Sequence, residues 1–233
     1  MPLPKNENKH NYTADLPSGR KVKYHPWIVR DEQEYMYATE GMENKDDMVP
    51  HIEELLSKCI TDETLINQLS EVDFLALAVE VRKKSKGETH DIVFTCPYCE
   101  TLNEGVQINL IEDVVSEGMN LDPIEVGDSE FTFHDVSREN LAKIKAMESD
   151  AKRRLYFMIY SLAGVTTPEQ TYTKFSVKET VEFFETMDPK EFKILSKEFA
   201  GVLPTFVVKK KLSCQRCEKE TMVFVDKVSD FFV

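Results

Sequence analysis

The sequence predicts an α+β fold: a small antiparallel β-ribbon with a zinc-ribbon centre, flanking helical sections and an N-terminal β-hairpin. Three observations lead there. Two Cys-x-x-Cys knuckles, Cys96-Pro97-Tyr98-Cys99 and Cys214-Gln215-Arg216-Cys217, each lie between short runs of strand character. Amphipathic stretches that open on capping residues fill the segments before and between them. Near the start, apolar and charged residues alternate around a Pro17-Ser18-Gly19 turn, the period of a half-buried hairpin.

Residues 1–10 are polar and lack the apolar core of a signal peptide, so they read as a flexible leader. Tyr12 to Leu16 and Lys21 to Trp27 form the hairpin, with Trp27, the only tryptophan, anchoring it on the core. Asp31 is placed as the N-cap of a helix reaching Glu40, and Asp46 or Asp47 as that of a helix through Cys59. In the second, Met48, Ile52, Leu55, Leu56 and Cys59 share one face. Thr61 to Leu69 is a shorter helical piece. Ser70-Glu71-Val72-Asp73 reads as a capping box that opens a helix through Lys84, with Gly87 just past its end. Thr89–Thr95, the first knuckle and Val106–Leu110 then make strand, knuckle, strand.

An acidic stretch, 111–128, precedes a strand at Glu130–His134 and one long helix from Ser137 to Leu162. Ser176-Val177-Lys178-Glu179 is a second capping box, and Asp188-Pro189 starts a last helix that Gly201 and Pro204 stop. Phe206–Leu212, the second knuckle and Met222–Val225 repeat the strand–knuckle–strand plan. The expected organisation is therefore a leader (1–10), a hairpin with helices (11–88), a discontinuous zinc-ribbon (89–110 and 206–233) and a helical insertion (111–205).

Four thiolates on two such turns are the ligand set of a structural, tetrahedral Zn²⁺ site, one ion per chain held by Cys96, Cys99, Cys214 and Cys217. Redox chemistry would place a Cys-x-x-Cys pair at a helix N-terminus, where the thiol pKa falls, and neither knuckle opens a helix. More than a hundred residues separate the pairs, far more than in a local zinc finger, so the symmetry of their flanks carries the assignment. Cys59 reads as a buried thiol, and His90 and His134 as ordinary core or surface histidines. With four sulfurs closing the shell, no position remains for a reacting water.

The 233 residues carry a net charge of −13, which disfavours a protein that works by gripping phosphates. Basic groups at Arg82, Lys83, Lys84 and Lys86 and at Lys209, Lys210 and Lys211 read as solvated element ends, with a basic rim around the metal as the alternative. No run approaches the ~18 apolar residues of a membrane span. No nucleophile elbow, P-loop, dinucleotide fingerprint or zincin motif occurs, so no catalytic residue is assigned.

Leu16 to Trp27, the acidic helix around Asp31-Glu32-Gln33-Glu34, the helix Phe74–Lys84 with its Lys-Ser-Lys-Gly-Glu exit, and the Cys-Pro-Tyr-Cys knuckle resemble the T-even-type bacteriophage baseplate hub subunit family. The likeness covers residues 12–110 closely and the rest in outline, leaving out 1–10 and 111–128. It implies a non-enzymatic structural or assembly component of a contractile tail, made in the host cytoplasm and built into the virion. Its partners would be other baseplate and tail hub proteins, with self-association compatible with that role. The apolar end Phe231-Phe232-Val233 is a candidate docking tail, and equally a piece of core. A zinc-ribbon nucleic-acid module and a zinc-stabilised enzyme are the competing classes.

Overall fold

Alternation in the opening segment produces the hairpin. Strand β1 (Tyr12–Asp15) pairs antiparallel with β2 (Lys21–Tyr24), and the facing Ala14 and Val22 are both buried. The computed structural model describes residues 11–232, so the leader foreseen at 1–10 and the terminal Val233 lie outside the described residues. Gly19, at φ +86°, closes the turn with its N–H on the Leu16 carbonyl at 2.8 Å.

Helix α1 (Val29–Thr39) starts ahead of the foreseen N-cap. Asp31 instead occupies the third helical position, where its carboxylate accepts the Ile28 N–H at 3.1 Å and satisfies an orphan donor from inside the helix. A 3₁₀ turn (Lys45–Met48), capped by Asn44 rather than by either aspartate, leads into α2 (Val49–Cys59). A second 3₁₀ turn spans Glu63–Gln68.

Helix α3 (Glu71–Lys86) is capped by Ser70, whose Oγ accepts the Asp73 N–H at 3.0 Å. The expected box is only half made. Asp73 turns its carboxylate to the hairpin, accepting the Ser18 N–H at 3.0 Å and the Ser18 hydroxyl at 2.5 Å. That tie stitches the helix start to the β1–β2 turn. Helix α3 is buried on both sides: Phe74, Leu77, Ala78 and Val81 pack with the hairpin and α2, while Leu75 and Val79 pack with the ribbon strands.

Strand β3 (Thr89–Thr95) pairs with β4 (Leu102–Asn109), and β5 (Val114–Glu117) continues the chain. Glu104 and Gly105 together oppose Val93, a bulge that the left-handed Gly105 (φ +67°) accommodates and that bends the hairpin toward its knuckle.

The region foreseen as a helical insertion is a mixed unit with its own core. Strands β6 (Ile124–Val126) and β7 (Ser129–Phe133) precede α4 (Arg138–Lys145) and α5 (Asp150–Ser161). Then follow β8 (Leu162–Thr166), β9 (Thr171–Tyr172), α6 (Val177–Thr186) and α7 (Pro189–Phe199). The sheet runs β6-β7-β8-β9, and Phe131, Phe133, Met158, Val165, Phe184, Leu195 and Phe199 fill the space between it and the helices. The single long helix expected over 137–162 is thus two helices, and its last residue, Leu162, opens strand β8. Ser149-Asp150 is a second start, and Arg153 Nε donates to the Met147 carbonyl at 2.8 Å, closing the break.

Strand β10 (Thr205–Ser213) pairs with β11 (Glu220–Val225) on one side and β5 on the other. A 3₁₀ turn (Val228–Phe231) then enters the core. Phe231 is 1% exposed, and Arg82 Nε donates to its carbonyl at 2.8 Å. Phe232 packs at a tilt against Trp27 and edge-on to Tyr35, whose hydroxyl donates to the Phe232 carbonyl at 3.0 Å. Phe231 is core and Phe232 packs half-buried beside it, which corrects the docking-tail reading for Phe231 and leaves Phe232 partly exposed.

Candidate metal centre

Each knuckle is the tip of a hairpin, β3–β4 for the first and β10–β11 for the second, and the two tips are built alike. In the first, the Cys96 N–H donates to the Thr101 carbonyl at 2.9 Å and the Glu100 N–H to the Cys96 carbonyl at 2.9 Å. In the second, the Cys214 N–H donates to the Lys219 carbonyl and the Glu218 N–H to the Cys214 carbonyl, both at 3.0 Å. This reciprocal pair folds four residues so tightly that both sulfurs emerge on one side.

The sulfurs meet. Cys96 Sγ lies 3.7 Å from Cys217 Sγ, and Cys99 Sγ lies 3.6 Å from Cys214 Sγ. All four stand within 4.8 Å of one another. Metal–sulfur bonds of about 2.3 Å in a tetrahedron require sulfur–sulfur edges of about 3.8 Å, so the cluster has the dimensions of a closed four-thiolate shell and could hold a metal ion. Cys96 and Cys214, the leading cysteines, are buried, and Cys99 and Cys217 are half-buried.

The electrostatics point the same way. The N–H groups of Cys217 and Arg216 aim at the Cys214 sulfur and pull its thiol down to about 6. The Thr101 hydroxyl and N–H lower that of Cys99. Cys217 rises to about 11 despite the Lys219 N–H, because burial and the neighbouring sulfurs oppose another negative charge. A cluster that favours some thiolates and resists the last is one that a cation could complete.

Several supports carry no signature that spacing could reveal. Asn103, fully buried, donates to the Thr101 carbonyl at 2.9 Å and accepts the Gln215 N–H at 2.8 Å, bonding one hairpin to the other knuckle. Gln215 Nε2 returns a bond to the Glu104 carbonyl at 3.1 Å. Lys219 Nζ sits 4.8 Å from the Tyr98 ring centroid, a second bridge between the knuckles. Asn103 is one of several polar residues in β4, beside Glu104, Gln107 and Asn109, and the second knuckle has no counterpart to draw attention to it.

Of the other candidates, Cys59 is buried in the helical core, bonds its thiol to the Leu55 carbonyl at 3.3 Å, and is pushed up to about 12 by burial. His90 bonds to Arg82 and the Asp230 carbonyl, and His134 is exposed on its own strand end. The Arg82–Lys86 group forms no rim at the metal centre. It lies at the far end of β3, seven residues or roughly 20 Å along the strand from the knuckle, with Arg82 buried and Lys83 and Lys86 paired to Glu80 and Glu32.

Glu100 and Glu218 hold the left-handed conformation, at φ 56° and 60°, where a Cβ is unfavourable. Glu100→Gly and Glu218→Gly should therefore each stabilise the protein by about 0.5–1 kcal/mol in urea unfolding, unlike Glu→Ala at the same positions.

Among the described residues, no helix is long and apolar enough to cross a membrane. No curated protein and no solved structure matches the chain. A family comparison does match, to the T4 bacteriophage base plate protein, over residues 8–233. That span takes in the acidic stretch 111–128, which the sequence resemblance had left out. This protein is a structural component of the phage tail baseplate: the chain belongs to the T4 bacteriophage base plate protein family.

Proposed function

We propose that the chain is a subunit of the baseplate's central hub, acting through protein–protein contacts. One structural Zn²⁺ on Cys96, Cys99, Cys214 and Cys217 fixes its ribbon. The observation that carries the zinc assignment is the set of sulfur separations, 3.6 and 3.7 Å between knuckles, on two turns of equal geometry. Zn²⁺ suits four soft thiolates in a tetrahedron, and a shell closed by protein leaves no open position for catalysis. No catalytic residue is assigned.

In this reading the discontinuous ribbon, 89–110 with 206–233, is the frame. The hairpin-and-helix section 11–88 packs on one side through α3, and the 111–205 insertion carries its own core. Such a chain presents several surfaces while its two ends of sequence stay locked together. The nucleic-acid alternative gains nothing from the lysines near the second knuckle: Lys210 pairs with Asp113, Lys211 with Glu220, and Lys219 covers Tyr98.

Hub placement is tested in assembled tails. A phage carrying a tagged copy should show the label on the tail axis of isolated baseplates, and a nonsense mutation in the gene should stop baseplates short of completion. A label at the periphery would overturn the hub assignment while leaving the baseplate role intact.

A further inference from the structure

Helix α1 is built the wrong way round for an element that only covers a core. Its buried residue is Asp31, whereas Val29, Met36 and Tyr37 are 71%, 58% and 73% exposed. Val29, Gln33, Met36, Tyr37 and the C-cap Glu40 recur at the spacing of a single helical face, so the exposed apolar groups form one stripe. Alongside runs an open groove of about 440 Å³ whose walls include Trp27, Tyr35, Met36 and Phe232. Around the stripe the chain is acidic: residues 28–47 hold seven acidic side chains against two basic ones.

The outer face of the β10–β11 hairpin has the opposite character. Cross-strand pairing sets Lys209 beside Phe224 and Lys211 beside Met222 on one face, while Val208 and Val225 point to the core. Phe224 is 61% exposed and Met222 46%. Residues 205–225 carry five basic side chains against two acidic ones in a chain of net charge −13, and with Lys210 and Lys211 paired to Asp113 and Glu220, Lys209 is the lysine that this face offers beside Phe224. Strand β11 is also the free end of its sheet, whose order is β11-β10-β5.

We propose that these two faces bind each other between copies of the chain: the acidic, apolar α1 face of one copy receives the basic, apolar β10–β11 face of the next. The contact joins unlike patches, so it is head-to-tail, and it propagates into a closed ring or a short open chain rather than a two-fold dimer. Apolar stripe meets apolar pair, Glu40 and Glu43 meet Lys209, and an aromatic such as Phe224 fills the groove beside α1. The inference stands apart from hub placement and from the identity of the metal.

The test is sedimentation velocity and light scattering of the full-length chain, purified without chelator, from about 1 to 200 µM, a range that spans ordinary transient association. The wild-type chain should self-associate, and more weakly as salt rises. Met36→Asp with Tyr37→Asp, and separately Lys209→Glu with Phe224→Asp, should each weaken association at least tenfold without changing the far-ultraviolet circular dichroism, since all four side chains are exposed. Mixing the two variants is decisive. Each keeps one intact face, so a head-to-tail contact yields a one-to-one heterodimer that grows no further. A wild-type chain monomeric across the range overturns the proposal, even if another baseplate protein binds the α1 face. Self-association that survives both double variants overturns it too, as does a mixture that stays monomeric.

Discussion

Cys214→Ser should leave the purified chain without the proposed zinc and lower the unfolding free energy by about 4 kcal/mol or more. A site occupied at a thousandfold excess over its dissociation constant adds about 4 kcal/mol to the folded state, and structural Zn²⁺ sites are commonly tighter than that. For a chain of 233 residues this corresponds to a fall in melting temperature of roughly 8–16 °C. The expected loss is large because the proposed ion would do what the two hairpins do only weakly alone. The described polar links between the tips are the Asn103–Gln215 bond, the Gln215–Glu104 bond and the Lys219–Tyr98 contact, together worth a few kcal/mol at most.

Elemental analysis and thermal denaturation check it together. Wild type should hold one zinc per chain, Cys96→Ser and Cys214→Ser far less, and Cys59→Ala should keep its metal while losing only core packing. Native-state hydrogen exchange should place the first opening at the knuckles, with the Gln215 amide released on chelation. Wild-type protein free of metal, or a Cys214→Ser variant that melts with wild type, would sink the assignment.

The parts of this fold legible in the sequence are those written in short-range chemistry. Ser70, Ser176 and Asp188 accept the backbone donors that their positions foretell, because a cap is decided within four residues. The four cysteines were legible because two residues between sulfurs and matched flanking strands restrict what the turn can do. The rest depended on distance. Asn103 and Gln215, 112 positions apart, gain meaning only once the hairpins are side by side. The strands β5 and β6 hide in an acidic stretch, since one is half-exposed and the other has three residues, and their partners are β10 and β7. The break before Asp150 was hidden because Ala146 and Met147 suit a helix, and the chain turns there through an arginine six residues on.

The carboxyl end supplies the second large effect. Phe231→Ala should destabilise the protein by about 3–5 kcal/mol, the cost of emptying an aromatic site in a closed core. Phe231 is 1% exposed among Leu75, Val79, Ile108 and Val208, with its ring 5.8 Å from that of His90. Deleting residues 231–233 should cost more, because it also removes the carbonyl that Arg82 Nε reaches at 2.8 Å and strands part of a buried guanidinium. The expected product is an unfolded or aggregating chain. A truncated chain that folded and melted normally, yet failed to join baseplates, would restore the docking-tail reading. The same anchor carries a pH signature. His90 is held neutral: burial first, and then the Arg82 charge, push its pKa below the ordinary histidine value, against the pull of the Asp230 carbonyl and of the Asp91 and Asp230 carboxylates. Arg82 Nη2 donates to His90 Nδ1 at 2.7 Å, so the proton sits on Nε2, which donates to the Asp230 carbonyl at 2.7 Å. The unfolded chain therefore takes up the proton first as pH falls. Stability is fully present above the unfolded value near 6.5 and is lost as pH drops from there toward the lower folded pKa. Urea unfolding between about pH 7 and 5 should show that slope in wild type and a shallower one in His90→Gln, which can still accept from Arg82 without titrating. An equal slope in the two would mean that the carboxyl-terminal anchor owes nothing to the neutral histidine.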